Sequence, residues 1–132
     1  MGKRIVIIIL VLAIGAVACF YLFGGGSDGN NGEKVYTYVP GEYFAVNIKN
    51  SNRLIKVSVT LELSTGKNEQ YLIDNNHKIR DVIISVVRNK TEEELRAATA
   101  MDSLRGELID ALKEKFEMDY LINIEFTEFV IQ

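Results

Sequence analysis

Nineteen consecutive residues, Ile5 to Phe23, carry no charged side chain, and thirteen of them are Ile, Leu, Val or Phe. As an α-helix at ~1.5 Å per residue, such a run reaches ~28 Å, close to the ~30 Å hydrocarbon core of a bilayer. Lys3 and Arg4 precede it, and Asp28 is the first charge beyond it. The positive-inside bias therefore puts residues 1–4 in the cytoplasm and the rest of the chain outside. Two cleaved readings stay open. Ala16-Val17-Ala18 resembles a small-residue processing site behind the apolar stretch Ile5 to Gly15, which would give a secreted protein. With Cys19 it also resembles a weak bacterial lipobox, in which Cys19 would be lipidated. Against both, the run continues through Phe20-Tyr21-Leu22-Phe23, a patch that cleavage would leave at a new N-terminus. The uncleaved anchor is the preferred reading.

Beyond the apolar run, Gly24 to Gly32 reads GGGSDGNNG and holds half of the ten glycines. That composition predicts a flexible tether, assigned to residues 24–34, with a typical reach of ~15–18 Å for its glycine-rich part. The rest, residues 35–132, is enough for one small domain. All 18 acidic residues follow Phe23, against 13 of the 15 basic ones, so the outer part carries a net charge of −5. A domain of that sign does not track a phosphate backbone, so nucleic acid is not expected as a partner.

Strand and helix periods follow one another along the domain. Phe44, Val46 and Ile48 alternate with Ala45 and Asn47. The clearest strand is Arg53 to Leu63: Ile55, Val57, Val59, Leu61 and Leu63 point one way, and Lys56, Ser58, Thr60 and Glu62 the other. One apolar and one polar face predict an antiparallel sheet covered on one side only. From Asn68 to Lys115 the period is helical. Ile79, Val82, Ile83, Val86 and Val87 form one stripe, and Met101, Leu104, Leu108, Ala111 and Leu112 another. Between them Thr91-Glu92-Glu93-Glu94 reads as a capping box. Ile122, Ile124, Phe126, Phe129 and Ile131 predict a last strand with an irregularity at Thr127-Glu128. Strands, then helices, then a strand make the class α+β.

Chemistry-bearing patterns are scarce. One His (His77), one Cys, one Pro and no Trp leave no disulfide framework and no metal set, and His77 reads as a helix-start residue. There is no G-x-S-x-G or S-x-x-K stretch, and no glycine loop running into a Lys-Ser/Thr helix start. Neither catalytic residues nor a cofactor is expected. Arg80 and Asp81 lie off the first helical stripe and are the two candidates for contact with a partner chain.

Three stretches together resemble the flagellar basal-body-associated FliL family. They are the layout of basic N-terminus, span, tether and small outer domain; the run His77-Lys78-Ile79-Arg80-Asp81-Val82-Ile83-Ile84 with Lys90-Thr91, Glu94-Leu95, Leu104-Arg105 and Glu107-Leu108; and the ending Phe126 to Gln132. Ala100 and Lys113 depart from the family's usual Gly and Asn. The resemblance implies an outer domain similar to the stomatin/prohibitin type, at the bacterial cytoplasmic membrane and the flagellar basal body. It further implies self-assembly into a ring around stator proteins of the MotA/MotB type, supporting torque, swimming and swarming. The bilayer contacts the chain through Ile5 to Phe23. The alternative from another class is an anchored or lipidated extracytoplasmic ligand-binding module unrelated to the flagellum.

Overall fold

The computed structural model describes residues 32–132. The proposed span Ile5 to Phe23 and the glycine-rich stretch up to residue 31 lie outside the described residues. Among the described residues, no helix is long and apolar enough to cross a membrane. The compact unit they form is Glu33–Gln132. In chain order it contains β1 (Tyr36–Tyr38), β2 (Phe44–Asn47), β3 (Leu54–Leu63), α1 (Glu69–Asp74), α2 (Asn76–Arg88), α3 (Glu92–Arg96), α4 (Ala100–Phe116) and β4 (Leu121–Ile131).

β3 is the centre of an antiparallel sheet, with β4 along one edge and β1 and β2 in tandem along the other. Its alternation is the one expected. Ile55, Val57, Val59, Leu61 and Leu63 are at most 3% exposed, while Lys56, Ser58, Thr60 and Glu62 reach solvent. The inward row meets α2 and α4. From α2 come Ile79, Val82, Ile83 and Val87, and from α4 come Leu104, Leu108 and Leu112, one buried residue per turn. Phe44, Val46 and Ile48, Leu72 of α1, Leu95 of α3, and Phe116, Met118, Leu121 and Ile124 complete the core.

Three features depart from the periodicity. β1 is a three-residue strand that no alternation announced; it is held because Tyr36 and Tyr38 pair with Leu63 and Leu61. Met101, expected on the second helical stripe, is 40% exposed, and Ala100 takes the inward place beside it. Ile122 is likewise exposed, because β4 carries two register shifts and not one. The anticipated one leaves Thr127 without a partner between Glu128 and Phe126. The second, between Glu62 and Leu63, leaves Ile122 unpaired and turns Leu121 inward.

Local chemistry ends the elements. Thr91 caps α3 as a full capping box: its hydroxyl accepts from the Glu94 N–H, and the Glu94 carboxylate accepts from the Thr91 N–H at 2.7 Å. α4 stops at Glu117, which adopts a left-handed conformation with φ of 52°. Asn50, in the β2–β3 turn, is the other non-glycine residue with positive φ among the described residues, and Asn tolerates that conformation.

Candidate functional site

Each lateral margin of the sheet is fastened to a helix by one arginine. On the β1–β2 side the arginine is Arg80 of α2. Ile79, Val82 and Ile83 commit one face of α2 to the core, which turns the Arg80 side chain along the sheet margin. Its Nη1 donates to the Pro40 carbonyl at 3.1 Å, and the guanidinium lies 4.5 Å from the Phe44 ring centroid. Gly41 makes room for it: a Cβ there would stand 1.6 Å from Nη1. Asp81, the other candidate from sequence, is exposed, and no ion pair or side-chain hydrogen bond among the described residues includes it. The structure does not bring the pair together. Arg80 faces the fold and Asp81 faces solvent.

On the β4 side the arginine is Arg105 of α4, which enters the sequence reading only within the family-like stretch Leu104-Arg105 and not as a contact candidate. Its Nε donates to the Ile124 carbonyl at 2.8 Å, its guanidinium lies 5.7 Å from the Phe126 ring centroid, and Asp102 pairs with it one turn back. Leu54 and Gln132 exchange both backbone hydrogen bonds. By antiparallel alternation, Phe129 and Ile131 then turn their own backbone groups away from β3. β4 is therefore an edge strand. Arg105 and the two bulges blunt it, the usual protection against unwanted strand pairing.

A charged cluster gathers where the β2–β3 turn meets α3. The Lys49 N–H donates to the Lys90 carbonyl at 3.0 Å, joining the turn to the loop before α3. Glu92 accepts from Arg96 Nε at 2.9 Å, Ser51 Oγ at 3.2 Å and Arg53 Nη1 at 3.4 Å. The Arg96 hydrogen bond, then Ser51, holds its carboxyl below the usual carboxylate range. Glu94 is lowered too, first by the Thr91 backbone N–H and then by the Thr91 hydroxyl. Beside this cluster, a cleft of about 200 Å³ runs between α3 and the start of α4, with the Lys90–Glu107 ion pair in its wall. That is smaller than the ~300–1,000 Å³ of typical small-molecule pockets. Among the described residues, no three His, Cys, Asp or Glu side chains converge as a metal site.

The outer face of the sheet is polar, with Lys56 paired to Glu128 at 3.1 Å and Asn123 donating to Glu62 at 3.1 Å. The domain thus offers two lateral margins, each with an arginine on a backbone carbonyl, and a wet face.

Residues 38–132 match the family described as "Flagellar basal body-associated protein FliL". The chain is 30% identical over 91 residues to flagellar protein FliL of Aquifex aeolicus (strain VF5), covering 67% of this chain and 56% of that protein. It is 24% identical over 125 residues to flagellar protein FliL of Bacillus subtilis (strain 168), covering 91% of this chain and 88% of that protein. The chain therefore spans little more than half the length of the Aquifex relative.

Proposed function

The chain belongs to the family of flagellar basal body-associated FliL proteins, and from that premise we propose that it is a non-catalytic, membrane-anchored accessory protein of the flagellar motor. In this reading Ile5 to Phe23 spans the cytoplasmic membrane with residues 1–4 inside. Residues 24–34 tether the outer domain, residues 35–132, which assembles with its own copies into a ring around MotA/MotB-type stator proteins and sustains their activity under load. The observation that carries the proposal is the family match over residues 38–132, nearly the whole of the compact unit.

Physical features support the ring. The β1–β2 margin and the β4 margin are different surfaces of the domain, so contact between them is heterologous, and a heterologous contact that closes on itself makes a ring. Each contact can be weak, because tethering to a membrane raises the effective concentration of neighbouring domains. Of the two candidate residues, Asp81 is the one whose side chain faces a neighbour, since Arg80 is engaged within the fold.

The test pairs cysteines across the two margins, Asp81→Cys with Glu125→Cys, in a Cys19→Ser background in native membranes. A cross-linked ladder beyond dimer, together with loss of movement through viscous medium on deletion, is expected. Cross-linking that stops at monomer or symmetric dimer for every pair tried, with motility under load unchanged, would overturn the ring and leave the anchored binding module in its place.

A further inference from the structure

Ten large hydrophobic side chains are exposed among the described residues, and four of them gather at one end of the sheet: Val35, Tyr36, Tyr71 and Ile122. The grouping follows from the topology. Tyr36 pairs with Leu63 at the end of β3, and Gly66 passes so close beneath its ring that a Cβ there would meet it at 2.8 Å. Leu63 also pairs with Leu121, which places the bulged Ile122 beside it. The Ser64 N–H donates to the Tyr120 carbonyl at 2.9 Å, bringing that half-buried tyrosine to the same end. α1 is held over this end by the Tyr38 hydroxyl, which donates to the Leu72 carbonyl at 3.1 Å. With Leu72 wholly buried, Tyr71 and Ile73 project on opposite flanks of α1, and Tyr71 is the one on the side of Tyr120.

This end is also where the chain enters the domain, because β1 is the first strand and begins at Tyr36. Only eleven residues, 24–34, separate Tyr36 and its neighbour Val35 from the apolar run ending at Phe23. Their typical reach as a flexible tether is about 20 Å.

We infer that this tyrosine-rich end is a lipid-docking surface: Tyr36, Tyr71 and Ile122 seat the outer domain end-on at the headgroup–acyl boundary of the membrane that anchors it. The inference rests on the anchored reading proposed above. Tyrosine suits that boundary because its ring is apolar and its hydroxyl stays wet. Held there by its tether at an effective concentration in the millimolar range, even a weak patch is mostly engaged. Charge does not drive the contact, since Glu33, Glu69 and Asp119 outnumber Lys34 and Lys67 around it. The consequence for function is orientation: seated end-on, every copy presents its two lateral margins to neighbours in one plane.

The chain contains no tryptophan, so a single introduced one reports its own surroundings. The full chain, as Tyr71→Trp or as Val130→Trp, is reconstituted in liposomes of phosphatidylcholine brominated on the acyl chains. Val130 pairs with Lys56, ~23 Å along β3 from the docking end. Emission from Trp at 71 is expected to fall roughly twofold relative to unbrominated lipid, as for a side chain at the acyl boundary. Emission at 130 should be unchanged. The quenching at 71 should survive molar salt, which screens charge and not apolar contact. Adding Ile122→Asp should abolish it while the circular dichroism stays the same. A chain that floats with the liposomes after a high-salt wash, yet shows no more quenching at 71 than at 130, overturns the docking surface and leaves the anchor standing. A chain that fails to float overturns both.

Discussion

Gly41→Ala is a one-methyl change at a half-buried loop position, and it should be destabilising through a residue thirty-nine positions away. The new Cβ would stand 1.6 Å from Arg80 Nη1 and 2.9 Å from its Cζ, so the guanidinium has to leave. Leaving breaks the 3.1 Å hydrogen bond to the Pro40 carbonyl and the stacking on Phe44. A hydrogen bond from a charged donor contributes about 1.5–3 kcal/mol, and the cation–π contact about 0.5–1 kcal/mol at a partly exposed site. The φ of Gly41 is not positive, so Ala returns about 0.4–1 kcal/mol by restricting the unfolded chain. The net expectation is a loss of about 1–3 kcal/mol, or roughly 5–20 °C in Tm for a domain of this length. The mechanism makes a sharper demand through a double-mutant cycle. Arg80→Ala alone should cost about as much, since it removes the same contacts. In that background Gly41→Ala should cost nothing, or stabilise slightly, giving a coupling of about 2 kcal/mol between the sites. Urea unfolding of Glu33–Gln132, followed by far-UV circular dichroism for the four variants, measures it. Additive costs would show that Gly41 is needed for some reason other than the arginine, and the assignment of Arg80 as a structural fastener would fail.

Other expectations follow from single sites. Val59→Asp places a charge among wholly buried neighbours and should leave the domain unfolded by circular dichroism, whereas Thr60→Asp on the wet face should keep a cooperative melt. Glu117→Gly relieves a left-handed non-glycine cap and should stabilise by about 1 kcal/mol in urea titration. The Glu94 carboxyl is held low in the folded state, so its contribution is complete above the ordinary carboxylate range and is lost as pH falls through the depressed folded value. Glu94→Gln should accordingly flatten the acid limb of the stability–pH curve, read by urea midpoints taken from neutrality downward.

What the residue pattern could and could not reveal follows from the range of each signal. The inward rows of β2 and β3, the α2 stripe and the Thr91–Glu94 capping box are short-range signals, and the structure reproduces them. β1 is too short to alternate and exists through its pairing with β3. β4 hides its second bulge because Ile122 and Leu121 are equally apolar, so only the register against Glu62 and Leu63 decides which one is buried. Arg80 read as a surface residue because its partners, Pro40, Gly41 and Phe44, lie in another element. Arg105 left still less trace: a carbonyl acceptor, Ile124, carries no side-chain signature.

Whether this domain surrounds a stator, as proposed above, can be seen by electron cryotomography of motors in the native host. Subtomogram averages from wild-type and deletion cells, compared just outside the cytoplasmic membrane, should differ by ring-shaped density around each stator unit. That density should return when the intact chain is restored and stay absent when it is restored without residues 35–132. Averages that are identical in the presence and absence of the chain, with stators occupied in both, would rule out the ring.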